Sequence, residues 1–260
     1  MSSLCWLHLS DIHFRPSTEW SDATARDALL EHLRDTISKR GLAIDLIFCT
    51  GDIAFGELRG QPLAGQYALA QSFFDELRQV CGDLPAERVF VVPGNHDVNR
   101  NAVDPHAQAH WNALASDAPG HASRINQEFA ANSGSANFAL KRIAEYGDFV
   151  RAAFPHQQAP TGHHHYAQVV DIRGCKVGIG GFNSAWTCAG PEDDRNLWLA
   201  AEAQFNHMRT VLAPANLRIG LIHHPHDWFN VAERSIIETR QQHDFDFWLH
   251  GHTHDLKVRP

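Results

Sequence analysis

Apolar residues along the chain fall into short runs separated by longer stretches with helical spacing. Residues 4–9, 44–49 and 88–92 read as strands. Between them, 21–40 sets Leu29, Leu30, Leu33 and Ile37 on one helical face and stops at Gly41. A second helix over 63–80 clusters Phe73, Phe74, Leu77 and Val80 ahead of Gly82. Strands alternating with helices imply a parallel sheet covered by helices, an α/β fold. Residues 98–165 differ, being rich in Ala, Asn, Ser and His; helices are expected at 135–154 and, more weakly, at 105–116. This segment reads as an insertion over the strand ends, a cap or lid, or equally as helical packing remote from any ligand. Beyond it, 166–172 and 175–180 form a hairpin turning at Arg173-Gly174, followed by a helix at 197–212, a strand at 217–222, a helix at 231–241 and a strand at 245–249. No repeat or linker interrupts the chain, so one domain over 1–260 is expected. The stop six residues after His254 reads as the end of an N-terminal module of a longer protein, or as trimming.

Each of five strands runs directly into residues that bind metals. These are Asp11-Ile12-His13, Thr50-Gly51-Asp52, Gly94-Asn95-His96-Asp97, His223-His224-Pro225 and His250-Gly251-His252-Thr253-His254. Ligands of open α/β sheets bind at the carboxyl ends of strands, so all five loops can converge on one point. Residues i and i+2 of an extended segment face the same side, which pairs Asp11 with His13 and His252 with His254. Glycines 51, 94 and 251 permit the turns that aim these side chains. Carboxylate, imidazole and amide oxygen without thiolate favour Mn²⁺, Fe, Zn²⁺ or Ni²⁺. Seven candidate ligands exceed the needs of one zinc and suit two adjacent divalent cations.

The ordered series D-x-H, G-D, G-N-H-D, H-x-P and G-H-x-H, running from Asp11 to His254, closely resembles the calcineurin-like metallophosphoesterase superfamily. The resemblance implies a four-layer α/β/β/α sandwich with a dinuclear metal centre, Mn²⁺ foremost, at the strand ends. Asp11, His13 and His254 would hold one metal, Asn95, His223 and His252 the other, and Asp52 would bridge them. His96 would contact the phosphoryl oxygen or protonate the leaving group, with Asp97 orienting it. A hydroxide bridging the metals would attack phosphorus in line with the departing oxygen. The superfamily continues into further strands after G-H-x-H, so a C-terminal domain or partner subunit is also expected.

Composition narrows the substrate. The formal charge is −8, which disfavours a broad nucleic-acid surface, although Arg supplies 18 of the 22 basic residues. No apolar run reaches the roughly 18–20 residues of a membrane helix and the N-terminus lacks a basic-then-apolar pattern, so neither a membrane partner nor a secretory leader is expected. Five cysteines without a C-x-x-C pair suit a reducing cytoplasm, and Cys5, Cys49 and Cys175 lie in apolar runs that suggest burial. His224 reads as holding a ligating ring, touching substrate or packing; Trp228 as stacking on a base or packing; Asn183 as lining the site or forming a turn. His163-His164-His165 reads as a solvated loop, or as cap histidines reaching a phosphate. The expected activity is hydrolysis of a nucleotide-type or other small phosphodiester. A nuclease gripping its substrate through Arg100, Arg124, Arg142 and Arg151 is the alternative, and a non-catalytic scaffold module is a second.

Overall fold

The computed structural model describes residues 3–16, 20–57, 61–102, 104–114, 120–157, 162–190 and 195–253. Strands β1 (Trp6–Leu9), β2 (Leu46–Thr50) and β3 (Val89–Val92) pair in that order, all parallel. Leu9 stands opposite Cys49 and Cys49 opposite Val91, so the three carboxyl ends lie level. A second sheet orders β4 (Tyr166–Ile172), β5 (Cys175–Gly181), β6 (Leu217–Leu221) and β7 (Phe247–Leu249). Its first pair is the antiparallel hairpin; the other two pairs are parallel. Parallel neighbours need crossovers. These are supplied by α1 (Trp20–Arg40), α2 (Leu63–Val80), α7 (Ala201–Val211) and α8 (Val231–Asp244).

Side-chain alternation divides each strand between two apolar layers. Leu46, Phe48, Phe90 and Val92 of the first sheet meet Tyr166, Ile172, Val177, Ile179, Ile219 and Leu221 of the second, which packs the sheets face to face. Ile47, Cys49, Val89 and Val91 point outward, into a core shared with Tyr67, Phe73, Phe74 and Leu77 of α2. Each fully buried Phe, Leu or Ile contributes about 1.5–3 kcal/mol, so the intersheet layer fixes how closely the two sets of strand ends approach. Two sheets with helices outside them is the layered fold that the resemblance implied.

The helical segment after β3 contains α3 (Pro105–Ala113), α4 (His121–Ala130), α5 (Gly134–Leu140) and α6 (Ala144–Ala153). The single helix expected at 135–154 is broken by a tight 3-10 turn at Lys141–Ile143. That turn drives Arg142 fully inside, where it donates to the carbonyls of Cys188 (2.7 Å) and Thr187 (3.4 Å). Helix α4, absent from the sequence reading, is amphipathic, burying Ile125, Asn126 and Phe129. The segment bridges both helical layers. Phe149 of α6 stacks on Tyr67 of α2, and Asn126 of α4 accepts from Ala203 N–H (3.0 Å) and donates to Glu233 (3.4 Å). Trp111 and Phe129 close over Trp186 in the loop after β5. The helix expected from 197 begins only at Ala201, because the Glu233 carboxylate captures the N–H groups of Leu199 and Ala201 at 2.7 Å and Ala200 turns left-handed. Cys175, expected to be buried, is exposed at the hairpin turn, and all five cysteines are free.

The three consecutive histidines are not a solvated loop. His163 and His165 are buried: His163 hydrogen-bonds Asn132 (2.8 Å) and packs on Phe129, and His165 packs on His207. His164 lies against Tyr146. Sequence reasoning missed this because polar residue type outweighed position at the foot of β4. Burial, reinforced by the neighbouring histidines, pushes His164 down to about 4 and His165 down to about 3. Unfolded, such rings titrate near 6.5, so below that pH the unfolded chain takes up protons that the folded chain refuses. Their contribution is complete above pH 6.5 and is lost at about 1.4 kcal/mol per pH unit per ring as pH falls from 6.5 toward 4. Urea unfolding across that window is expected to show a shallower loss in His165→Gln; an unchanged slope would contradict the assignment.

Candidate metal centre

The carboxyl ends of β1, β2, β3, β6 and β7 deliver their loops to one place. Backbone bonds stitch the loops together: Asp11 N–H donates to Gly51 O (3.1 Å), His13 N–H to Asp52 O (3.0 Å) and Gly251 N–H to His223 O (3.1 Å). The His252 N–H donates to the Asp11 carboxylate at 3.1 Å. The presentation of Asp11 and His13 differs from the extended segment expected. Both have φ of +54°, and Asp52 (+51°) and His252 (+74°) are left-handed too. Non-glycine residues held in that region cost of order 1–3 kcal/mol each, a strain concentrated here in four candidate ligands. The glycines matter mainly as space. A Cβ on Gly51 would lie 2.5 Å from His223 Nδ1, and one on Gly94, whose φ of −113° any residue adopts, would overlap the Asp52 carboxylate.

The centre is built around His223, fully buried at the end of β6. Its Nδ1–H donates to Thr50 O (2.7 Å), which turns Nε2 inward. Within reach of that Nε2 stand Asn95 Oδ1 (3.1 Å), His252 Nδ1 (3.2 Å) and Asp52 Oδ2 (3.3 Å). Donor atoms about 2.0–2.2 Å from a tetrahedral or octahedral cation stand roughly 2.8–3.6 Å from one another, so these spacings match the edges of a coordination shell. Asp11, Asp52 and His223 offer a second converging set, and His13, Asp52 and His96 a third, the donor atoms in each lying within 4.8 Å of one another. Asp52 belongs to both. The donors present fit a divalent-cation centre. Sequence-predicted ligands Asp11, His13, Asp52, Asn95, His223 and His252 are brought together; His254 lies outside the described residues.

His96 stands beside this cluster, its ring 4.6 Å from that of His13 and its N–H donating to Asp52 Oδ1 (2.8 Å). Its ring is oriented by the Phe55 carbonyl, which Nδ1 meets at 2.5 Å. Asp97 does not orient it, contrary to expectation. The wholly buried Asp97 carboxylate instead accepts from the N–H groups of Ala54 (2.9 Å), Gly94 (2.9 Å) and Ile53 (3.3 Å) and from the Tyr67 hydroxyl (3.1 Å), pinning the β2 and β3 loops to each other. Burial, with Asp52 nearby, raises Asp97 to about 6 against the pull of those N–H donors. Burial would raise Asp52 as well, but His223 and His96 outweigh it and hold the carboxyl well below its ordinary range. Burial would lower His223, yet Asp52 foremost carries it up to about 9.

The remaining candidates divide. His224 is buried with its Nδ1 on Ser184 Oγ (2.9 Å), and it also falls within ligand reach of His223 and His252. Trp228 packs edge-on against the His252 ring at 4.0 Å, so it supports a candidate ligand. Asn183 takes the turn alternative rather than lining the site: fully buried, its Oδ1 accepts from Ala185 N–H two residues on (3.0 Å) and its Nδ2 donates to His163 O (2.9 Å). Sequence reasoning missed Ser10, which donates to Asp11 Oδ2 (2.5 Å) and Thr50 O (3.2 Å). It also missed buried Gln66, which holds the Phe55 loop. No spacing marks such residues, because they act through backbone groups.

A family model described as calcineurin-like phosphoesterase matches residues 6–256. Among solved structures, the NAD nucleotidase of Haemophilus influenzae is similar at 13% identity with a TM-score of 0.48. The likeness covers 98% of this chain and 39% of that one, so this chain spans about two fifths of its length. No curated protein matches the chain.

The role of Asp97 is open to direct test. Each buried donor left without an acceptor costs about 1–3 kcal/mol. Asp97→Ala is therefore expected to lose about 3 kcal/mol or more in urea unfolding, and Asp97→Asn, which keeps an acceptor oxygen, distinctly less. Near-wild-type stability of Asp97→Ala would contradict the pinning role.

Proposed function

The chain belongs to the calcineurin-like phosphoesterase family, and on that premise we propose that it is a phosphodiesterase for small, nucleotide-type diesters, with Mn²⁺ as the preferred metal. It is a metal-dependent hydrolase of phosphoester bonds. The observation that carries the metal-dependent reading is the packing of Asn95, His252 and Asp52 donor atoms within 3.1–3.3 Å of His223 Nε2, with His96 alongside. Asp11 and His13 would hold one cation with His254, and Asn95, His223 and His252 the other, Asp52 lying between. Cations there would supply Lewis acidity to the phosphate oxygens and an activated water. The chain's own residues do the rest. Thr50 O keeps His223 in the tautomer that leaves Nε2 for binding, and Phe55 O holds the His96 ring so that its other nitrogen gives a proton to the departing oxygen.

A chain of charge −8 repels a monoanionic diester less than a dianionic monoester, which supports the diester preference. Of the four arginines in the nuclease alternative, Arg142 is buried and Arg124 and Arg151 pair with Glu128 and Asp148, while Arg100 stays exposed, which supports the small-diester reading over a nuclease without removing it. Among the described residues no helix is long and apolar enough to cross a membrane. The five free cysteines support a reducing cytoplasm as the working compartment. A following C-terminal domain or partner subunit remains part of this proposal.

Bis-p-nitrophenyl phosphate is expected to turn over faster than p-nitrophenyl phosphate, best with Mn²⁺ among Mn²⁺, Ni²⁺, Zn²⁺ and Mg²⁺. EDTA should abolish the reaction, Asp52→Ala should collapse it, and His96→Ala should slow it about 10²–10⁴-fold. Metal-independent turnover would sink the reading, and monoester preference would move it to a phosphatase. Metal uptake also has a proton signature. With His223 raised to about 9, its ring carries a proton at pH 7.5 until a cation displaces it. Calorimetric titration with Mn²⁺ in buffers of different ionisation enthalpy should show proton release at pH 7.5, and affinity should rise as pH rises. Buffer-independent heats would count against the His223–Asp52 assignment.

A further inference from the structure

On the rim beside His96 stands a pair that the hydrolytic machinery does not use. A bridge between Phe14 and Ala54 brings the β1 and β2 loops together, and there the Arg15 guanidinium lies 4.8 Å over the centroid of the Phe55 ring. That ring is 6.0 Å from His13 and 5.9 Å from His96, so the pair adjoins the place where a phosphate would sit. It is rigidly seated. Phe55 N–H donates to Phe14 O (2.9 Å) and to Gln66 Oε1 (2.8 Å). Gln66, itself fully buried, also accepts from Gly56 N–H (3.2 Å) and donates to Gly56 O (2.7 Å) and Gln61 O (2.9 Å).

We propose that Arg15, held against Phe55, is the specificity residue of this site and recognises the nucleobase of the substrate by stacking. The inference rests on the phosphodiesterase reading. A guanidinium is planar, delocalised and weakly hydrated, so it stacks on π faces where a lysine would not. Stacking tolerates any base, and its loss costs about 1–3 kcal/mol, or roughly 5- to 150-fold. The Phe55 ring holds the guanidinium in place before substrate arrives, which spares ordering entropy on binding.

The test pairs thymidine 5′-p-nitrophenyl phosphate with methyl p-nitrophenyl phosphate, which share a leaving group and differ in carrying a nucleoside or a methyl group. In Mn²⁺-loaded protein, Arg15→Ala is expected to lower the ratio of kcat/KM for the nucleoside ester over the methyl ester about tenfold. Arg15→Lys should fail to restore it. In parallel, calorimetry should show thymidine 5′-monophosphate bound about tenfold more weakly by Arg15→Ala, with inorganic phosphate unchanged. Equal losses for both esters and for phosphate would overturn the proposal, placing Arg15 on the phosphate itself. No change in either ratio would overturn it too. If wild-type protein hydrolyses neither ester, the phosphodiesterase reading fails, and the two calorimetric affinities still decide the role of Arg15.

Discussion

The Thr50 carbonyl accepts the Nδ1–H of His223 at 2.7 Å across the gap between two sheets, and the site's geometry depends on that bond. It joins the end of β2 to the end of β6, selects the His223 tautomer and aims Nε2 at Asp52, Asn95 and His252. Thr50 is held in turn, its hydroxyl bonded to His8 (2.8 Å) and its carbonyl shared with Ser10. So close an approach requires Gly51, because any Cβ there would meet the imidazole. It also requires the intersheet layer of Phe48, Phe90, Ile219 and Leu221 to set the spacing. Packing energy collected over the whole sandwich is thus converted into a sub-ångström placement of one nitrogen.

Much of this was legible in the sequence. Strand positions followed from apolar runs, and the candidate ligands stood out by recurring at strand ends. What was not legible depends on partners far away in the chain. The identity of Asp97 suggests chemistry, whereas its surroundings, three N–H groups and a tyrosine hydroxyl, make it a structural clamp. His163 and His165 look solvated until the fold buries them against Phe129 and His207. Asn183 could line the site or form a turn until both ends of its amide find internal partners, which decides for the turn. Helix 135–154 looks continuous until Arg142 is drawn inward by carbonyls of the β5 loop. In each case residue type pointed one way and tertiary environment decided otherwise.

The electrostatics of the cluster follow from burial. Asp52 and His223, both sealed from solvent, shift in opposite directions because each is the other's nearest counter-charge. A buried imidazolium–carboxylate pair gains little net stability after desolvation. In the proposed centre it would act as a placeholder, the proton on His223 standing where a cation would bind. Left-handed backbone at Asp11, His13, Asp52 and His252 adds strain that a folded scaffold tolerates where ligands must be aimed.

The central claim is a two-cation centre with Asp52 between the ions. Its most direct test is metal content by mass spectrometry after equilibration with Mn²⁺ and exhaustive dialysis. Two ions per chain in the wild type, falling to one or none in folded Asp52→Ala, is the result this account requires. A single ion in the wild type, or two retained without Asp52, would contradict it.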